Sequence, residues 1–112
     1  MDLMINNVRV LTMEAEQPVL EEGFVGVRDG EYTLVSRMQP RIMGRRFVDG
    51  TGMTLVPLGA LEGMGKIWPG HPADGLLLAG SLTAEMLPLV HLSDITMVLR
   101  GGKILWEKAA QA

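Results

Sequence analysis

Short β-prone runs, broken by turn residues about every ten positions, constrain this chain more than any other feature. Asp29-Gly30 separates residues 23–28 from residues 31–36, both rich in alternating apolar residues. An Asp-Gly pair in that setting is a strong hairpin signal, because the two-residue turn that matches strand twist needs positive φ at both positions. Tyr32 and Leu34 then share one face of the second strand, and Thr33 and Val35 the other. Gly101-Gly102 plays the same part between residues 95–100 and 103–107. Asn6-Asn7 divides 3–5 from 8–12 and predicts a tight turn or a bulge, since Asn tolerates positive φ. Gly50-Thr51-Gly52 divides two further short strands, 46–49 and 53–56, and 76–79 reads as a buried strand.

The remaining stretches read as connections. Residues 13–22 are acidic and broken by Pro18, which predicts a loop. Residues 38–44 form an irregular link around Pro40, and 58–65 are rich in glycine. Residues 81–89 hold one short helical turn stopped by Pro88, and the last five residues are a polar, alanine-containing tail. The expected fold is all-β: a small β-sandwich or partly open barrel of short antiparallel strands and hairpins, with at most one short helix, as one domain over 1–112.

Composition narrows the chemistry. At 112 residues the chain supports one modest core. It is 47% hydrophobic but only 4% aromatic, so that core is built from Leu, Val, Ile and Met, the nine methionines serving mainly as filler. Net charge is −3, and the one basic cluster, Arg41, Arg45 and Arg46, lacks the interleaved aromatics of a single-strand platform. Nucleic acid is not an expected partner. Without cysteine there is no disulfide, thiolate or zinc-finger chemistry, which suits the cytoplasm. The N-terminus has no basic, apolar leader, and the longest apolar run, 76–79, cannot span a bilayer; no membrane partner is expected.

His71 and His91 are the only histidines. A metal would need a further ligand from Asp74 or Asp94. Gly70-His71-Pro72 reads as an exposed turn and His91 as a loop residue, so His71, His91 and Asp74 are weak metal candidates. Asp49 and Asp74 sit in turns, where a carboxylate accepts local backbone N–H groups. No glycine pair opens a helix, so none is a phosphate loop. No catalytic residue and no cofactor are expected. Leu58, Leu61, Met64, Ile67 and Trp68 cluster in sequence and are candidates for a contact surface.

Several segments carry a resemblance. Val48-Asp49-Gly50-Thr51-Gly52-Met53-Thr54-Leu55-Val56-Pro57 resembles the "D-G-x-G-x-x-V-x-P-G" stretch that enters the metal-binding barrel of the amidohydrolase superfamily. Gly65-Lys66-Ile67-Trp68-Pro69-Gly70-His71-Pro72-Ala73-Asp74 resembles the "G-S-I-x-P-G-K-x-A-D-L-V-L-L" stretch that leaves it. Residues 3–13 are similar to the opening strands of that family, residues 27–35 to its "V-x-D-G-x-I-x-x-V" hairpin, and residues 98–107 to its closing hairpin. The resemblance implies a composite β-sandwich made by the two flanking segments, with a (β/α)₈ barrel of about 250 residues inserted between them. Here the insertion point, near 58–65, holds only a short link.

The family's chemistry is not implied. Its enzymes hold divalent metal with a His-x-His pair and further barrel-borne ligands, which lower the pKa of a bound water. This chain has Leu58-Gly59-Ala60-Leu61 at that point and no His-x-His. Two departures stand out: His71 replaces a usual Lys or Arg, and Gly75 replaces a Leu or β-branched residue, which predicts a bulge. The expectation is a module without catalysis of its own, structural or binding in role, which self-associates as a two-fold dimer. The alternatives are the sandwich subunit of a split metal-dependent hydrolase acting on C–N bonds with a separate barrel chain, and a small-ligand binder at the junction.

Overall fold

A computed structural model describes residues 1–108, apart from the side chain of Leu61; the tail from 109 onward lies outside the described residues. Eight strands form one sheet that does not close: β1 (Leu3–Leu11), β2 (Val19–Arg28), β3 (Glu31–Ser36), β4 (Phe47–Asp49), β5 (Met53–Pro57), β6 (Gly75–Ala79), β7 (Ile95–Arg100) and β8 (Lys103–Glu107). Their order is β3-β2-β1-β5-β6-β7-β8, with β4 also paired to β1. The architecture is the small all-β one the turn pattern predicts.

Both expected hairpins form. Asp29 and Gly30 have φ of 52° and 82°, Gly101 and Gly102 of 56° and 80°, as the twist-matched two-residue turn requires. Asn6-Asn7 makes a bulge, not a turn: Asn7 has φ 56°, and β1 runs through it with a register shift against β2 between Ile5 and Val8.

Three details differ from the sequence expectation. First, β2 starts at Val19, so the second half of the supposed loop 13–22 is strand. Glu21 and Glu22 face solvent there while Leu20 is buried, and outward-facing acids disguise a strand as a loop. Second, the pairing is not wholly antiparallel. The chain leaves β3, crosses through residues 37–46 and returns alongside the start of β1, so β4 and β5 both run parallel to it. Third, the described residues hold three short 3₁₀ turns instead of one helical turn: Ala60–Glu62, Ala84–Leu89 and Leu92–Asp94. Pro88 lies inside the second of these rather than ending it. A 3₁₀ turn this short tolerates it, with the Val90 N–H closing onto the Leu87 carbonyl.

The sheet curls until its two ends nearly meet, and residues 69–74 fill the gap. Gly70 N–H donates to the Tyr32 carbonyl (2.8 Å) and Tyr32 N–H to the His71 carbonyl (2.9 Å). Ala73 N–H donates to Gly30 (2.8 Å), and Gly102 N–H donates to Ala73 (3.1 Å). The tips of the two hairpins touch: a Cβ on Gly102 would lie 2.8 Å from the Gly30 Cα. Inside the curl lies the main core, including Ile5, Val8, Val10, Val25, Val27, Tyr32, Leu55, Ile67, Met97 and Leu99. A smaller cluster, Leu11, Val56, Leu78 and Leu87, forms a second group with the partly buried Leu82, Val90 and Ile95.

Candidate functional site

The junction between β5 and β6 is where the sequence places any site, and its backbone explains its shape. Pro57 and Gly75 are paired neighbours on adjacent antiparallel strands, so residues 58–74 leave and re-enter the sheet at one point. This connection is folded into the molecule. Ile67 is fully buried and its N–H donates to the Thr12 carbonyl (3.0 Å); Ala73 is fully buried as well. Lys66 pairs with Glu14 at 3.0 Å, which holds the Glu14 carboxyl below its ordinary range.

The five contact candidates therefore separate. Ile67 is core, Leu58 and Trp68 are half-buried, and Met64 is exposed. Leu61 lies outside the described side chains. Beside Leu58, a groove of about 250 Å³ opens between the sheet and the 3₁₀ turns, lined by Val56, Leu76, Leu78, Leu87, Leu92 and Ile95 among others. Leu92 and nearby Leu89 are largely exposed. The lining is almost wholly apolar, so the groove offers shape and little hydrogen-bonding chemistry.

The polar candidates fall apart in the same way. His91 N–H donates to Asp94 Oδ2 (3.0 Å) and Asp94 N–H to the His91 carbonyl (2.9 Å), a self-contained turn at the start of the last 3₁₀ segment. Asp74 Oδ1 accepts the N–H of Gly101 (2.7 Å), fastening β6 to the β7–β8 turn. That bond reaches 27 residues along the chain, where the sequence suggests a local one. Asp49 does act locally: its Oδ1 accepts from the Thr51 N–H (3.0 Å) and hydroxyl (2.6 Å), which lowers its pKa. His71 and Asp74 share an open hollow with Glu62, Lys66 and Arg100, where opposite charges are mixed. Among the described residues, no three His, Cys, Asp or Glu side chains converge as a metal cage would need.

One buried group escapes the sequence reading. Tyr32 is fully buried and its hydroxyl has no hydrogen-bond partner among the described residues. Burial first, and the Asp74 carboxylate second, push its pKa well above the ordinary phenol value. A Cβ at Gly75 would lie 2.7 Å from this hydroxyl and 3.2 Å from the Val56 carbonyl oxygen. Gly75 is thus the space Tyr32 occupies. It pairs in register with Pro57 and Leu99, so the expected bulge at Gly75 is absent; the irregularity on β6 falls between Leu77 and Leu78. The signal was present in the sequence, as Tyr where the similar hairpin has Ile and Gly where the similar exit has Leu.

No family model matches the chain, and no curated protein matches it. Among solved structures, the chain is similar to the atrazine chlorohydrolase of Arthrobacter aurescens TC1 complexed with zinc, at 23% identity and a TM-score of 0.46, over 50% of this chain and 13% of that one. A triazine hydrolase from the same source, modified for expression in E. coli, gives 23%, 0.46, 50% and 12%. The chain spans about an eighth of the length of these structures.

Proposed function

We propose that this chain is a β-module without catalysis of its own, structural or binding in role, that self-associates, most simply as a two-fold dimer in the cytoplasm. The observation that carries this reading is the connection 58–74. At the point where the similar family inserts its barrel, this chain puts Ile67 and Ala73 into the core and hydrogen-bonds the link to Thr12, Gly30 and Tyr32. The carboxylates nearest the histidines support it too, because Asp74 and Asp94 accept backbone N–H groups and hold turns together. Self-association follows from what stays outside: Met38, Met43, Met64, Leu89, Leu92 and Leu105 are each at least 64% exposed. A small domain with that much exposed apolar surface gains by covering it.

One observation favours a second reading, the sandwich subunit of a split hydrolase acting on C–N bonds. The apolar groove lies beside Leu58 and Ala60, where a separate barrel chain would sit. Light scattering on the chain eluting from a sizing column separates the two. A stable dimer across a wide concentration range supports the self-associating module. A monomer that aggregates without limit, and is rescued only by a barrel chain, supports the split enzyme.

A further inference from the structure

Charge is segregated along the outer side of β1 and β2. Residues 37–47 carry Arg37, Arg41, Arg45 and Arg46, four of the ten cationic side chains, and no acid. Arg46 is bound to Glu107; the other three are exposed and lie outside every ion pair among the described residues. Between them stand Met38 (78% exposed), Met43 (84%), Phe47 (52%) and Ile42 (39%). The preceding stretch is the reverse. Glu16, Glu21 and Glu22 are exposed and likewise outside those ion pairs, whereas Glu14 is taken by Lys66.

The topology sets these two groups side by side. Glu21 and Glu22 lie on β2 between Leu20, opposite Val10, and Gly23, opposite Val8, toward the far end of β1. Arg37 shares a hollow with them and with Arg9. From there the chain runs back to line a second hollow with Met4 and Asn6, near the start of β1, where the Arg45 N–H donates to the Met1 carbonyl (2.9 Å). The acidic half thus sits at one end of β1 and the basic half at the other, with Arg37 at the boundary.

We infer that this face is the two-fold contact between copies of the chain, each copy's basic half lying on the other's acidic half. This deepens the proposed function and rests on its self-association. A two-fold axis near Arg37 exchanges the halves, so Arg41 and Arg45 of each copy face the free glutamates of the other, while Arg37 stays beside its own Glu21 and Glu22. The exposed Met and Phe side chains supply the apolar contact, and the arginine forks fit carboxylates two bonds at a time. The occupant is a second copy because this chain's own surface carries the complementary acidic group.

The test is charge exchange, read by analytical ultracentrifugation. One variant carries Arg37→Glu, Arg41→Glu and Arg45→Glu; the other carries Glu16→Arg, Glu21→Arg and Glu22→Arg. Each alone is expected to be monomeric where the native chain is dimeric, and an equimolar mixture is expected to restore a dimer. Restoration also shows that both variants fold. For the native chain, raising salt from about 50 to about 500 mM is expected to weaken the dimer roughly tenfold or more. If either variant alone keeps the native dimer, or salt leaves it unchanged, this face is not the contact, although self-association stands. If the native chain is monomeric throughout, both readings fall. If the arginine variant keeps its dimer but loses the native chain's binding to phosphatidylserine vesicles, the face belongs to a membrane and the inference is overturned.

Discussion

Two long connections interrupt the sheet, and they have opposite fates. Residues 58–74 join two adjacent strands and turn inward: Ile67 and Ala73 are fully buried, and the backbone bonds to Thr12, Gly30 and Tyr32. Residues 37–46 also carry the chain between strands, but they lie outside, with Met38 and Met43 mostly in water and three arginines outside any ion pair among the described residues. The first connection builds the fold. The second dresses its surface. What decides is the path each link takes: 58–74 leaves and re-enters between the paired strands β5 and β6 but runs through the gap between the two ends of the sheet, where a core needs a lid, while 37–46 crosses strands already paired on both sides.

The contrast is open to mutation. Ile67→Ala should cost about 2–5 kcal/mol, because it empties a packed site at the seam, and urea unfolding would register it as a lower midpoint. Met43→Ala, the same kind of truncation on the other connection, should stay within about 0.5 kcal/mol of the native chain. Equal losses at the two sites would erase the distinction.

The seam has a second tight point. Gly75→Ala puts a methyl 2.7 Å from the Tyr32 hydroxyl, and overpacking of this kind costs roughly 1–3 kcal/mol. Tyr32→Phe removes a buried hydroxyl that has no partner among the described residues, so it should be neutral or stabilising by up to about 1 kcal/mol. In combination with Gly75→Ala it should recover much of that variant's loss. A double-mutant cycle on unfolding free energies would contradict the pairing if the two effects simply added.

The smallest effect belongs to the surface pair at the end of the outer connection. Arg46 holds the Glu107 carboxyl below its ordinary 4.5 by hydrogen bonding and by charge. A carboxyl whose folded pKa is depressed lends stability that is present above its unfolded pKa and lost as pH falls through the folded value. Glu107→Gln should therefore flatten the acid limb of stability below about pH 4.5 only slightly, since both side chains are near half exposure and screened by salt. A large change in that limb would mean the pair is far less exposed to solvent than the structure has it.

Sequence alone made the hairpins legible because their turns demand positive φ, and only Gly, Asp and Asn supply it cheaply. Asp29-Gly30 and Gly101-Gly102 therefore appear where expected. The resemblance at the junction pointed to the place where the connection re-enters the sheet. Less legible was anything that depends on two distant residues at once. Ile67 reads as part of a contact surface, because its burial depends on the seam, and the seam exists only when turns as far apart as Gly30 and Gly102 meet. The start of β2 was hidden by Glu21 and Glu22, which face water. Gly75 looked like a bulge because its cause, the Tyr32 hydroxyl, lies 43 positions earlier. The histidines and aspartates meet only their near neighbours in the chain, His71 with Asp74 in one open hollow and His91 with Asp94 in one turn, and among the described residues no third ligand converges on either pair.

The most direct measurement is amide hydrogen exchange along the two connections. The amides of Ile67, Gly70 and Ala73, each bonded to a distant carbonyl, should exchange as slowly as those of the central strands β1 and β5. Those of Ile42 and Met43 should exchange at nearly unprotected rates. Fast exchange at Ile67 and Ala73 would contradict the account, because it would mean the link 58–74 is only a tether and the seam of the sheet stands open.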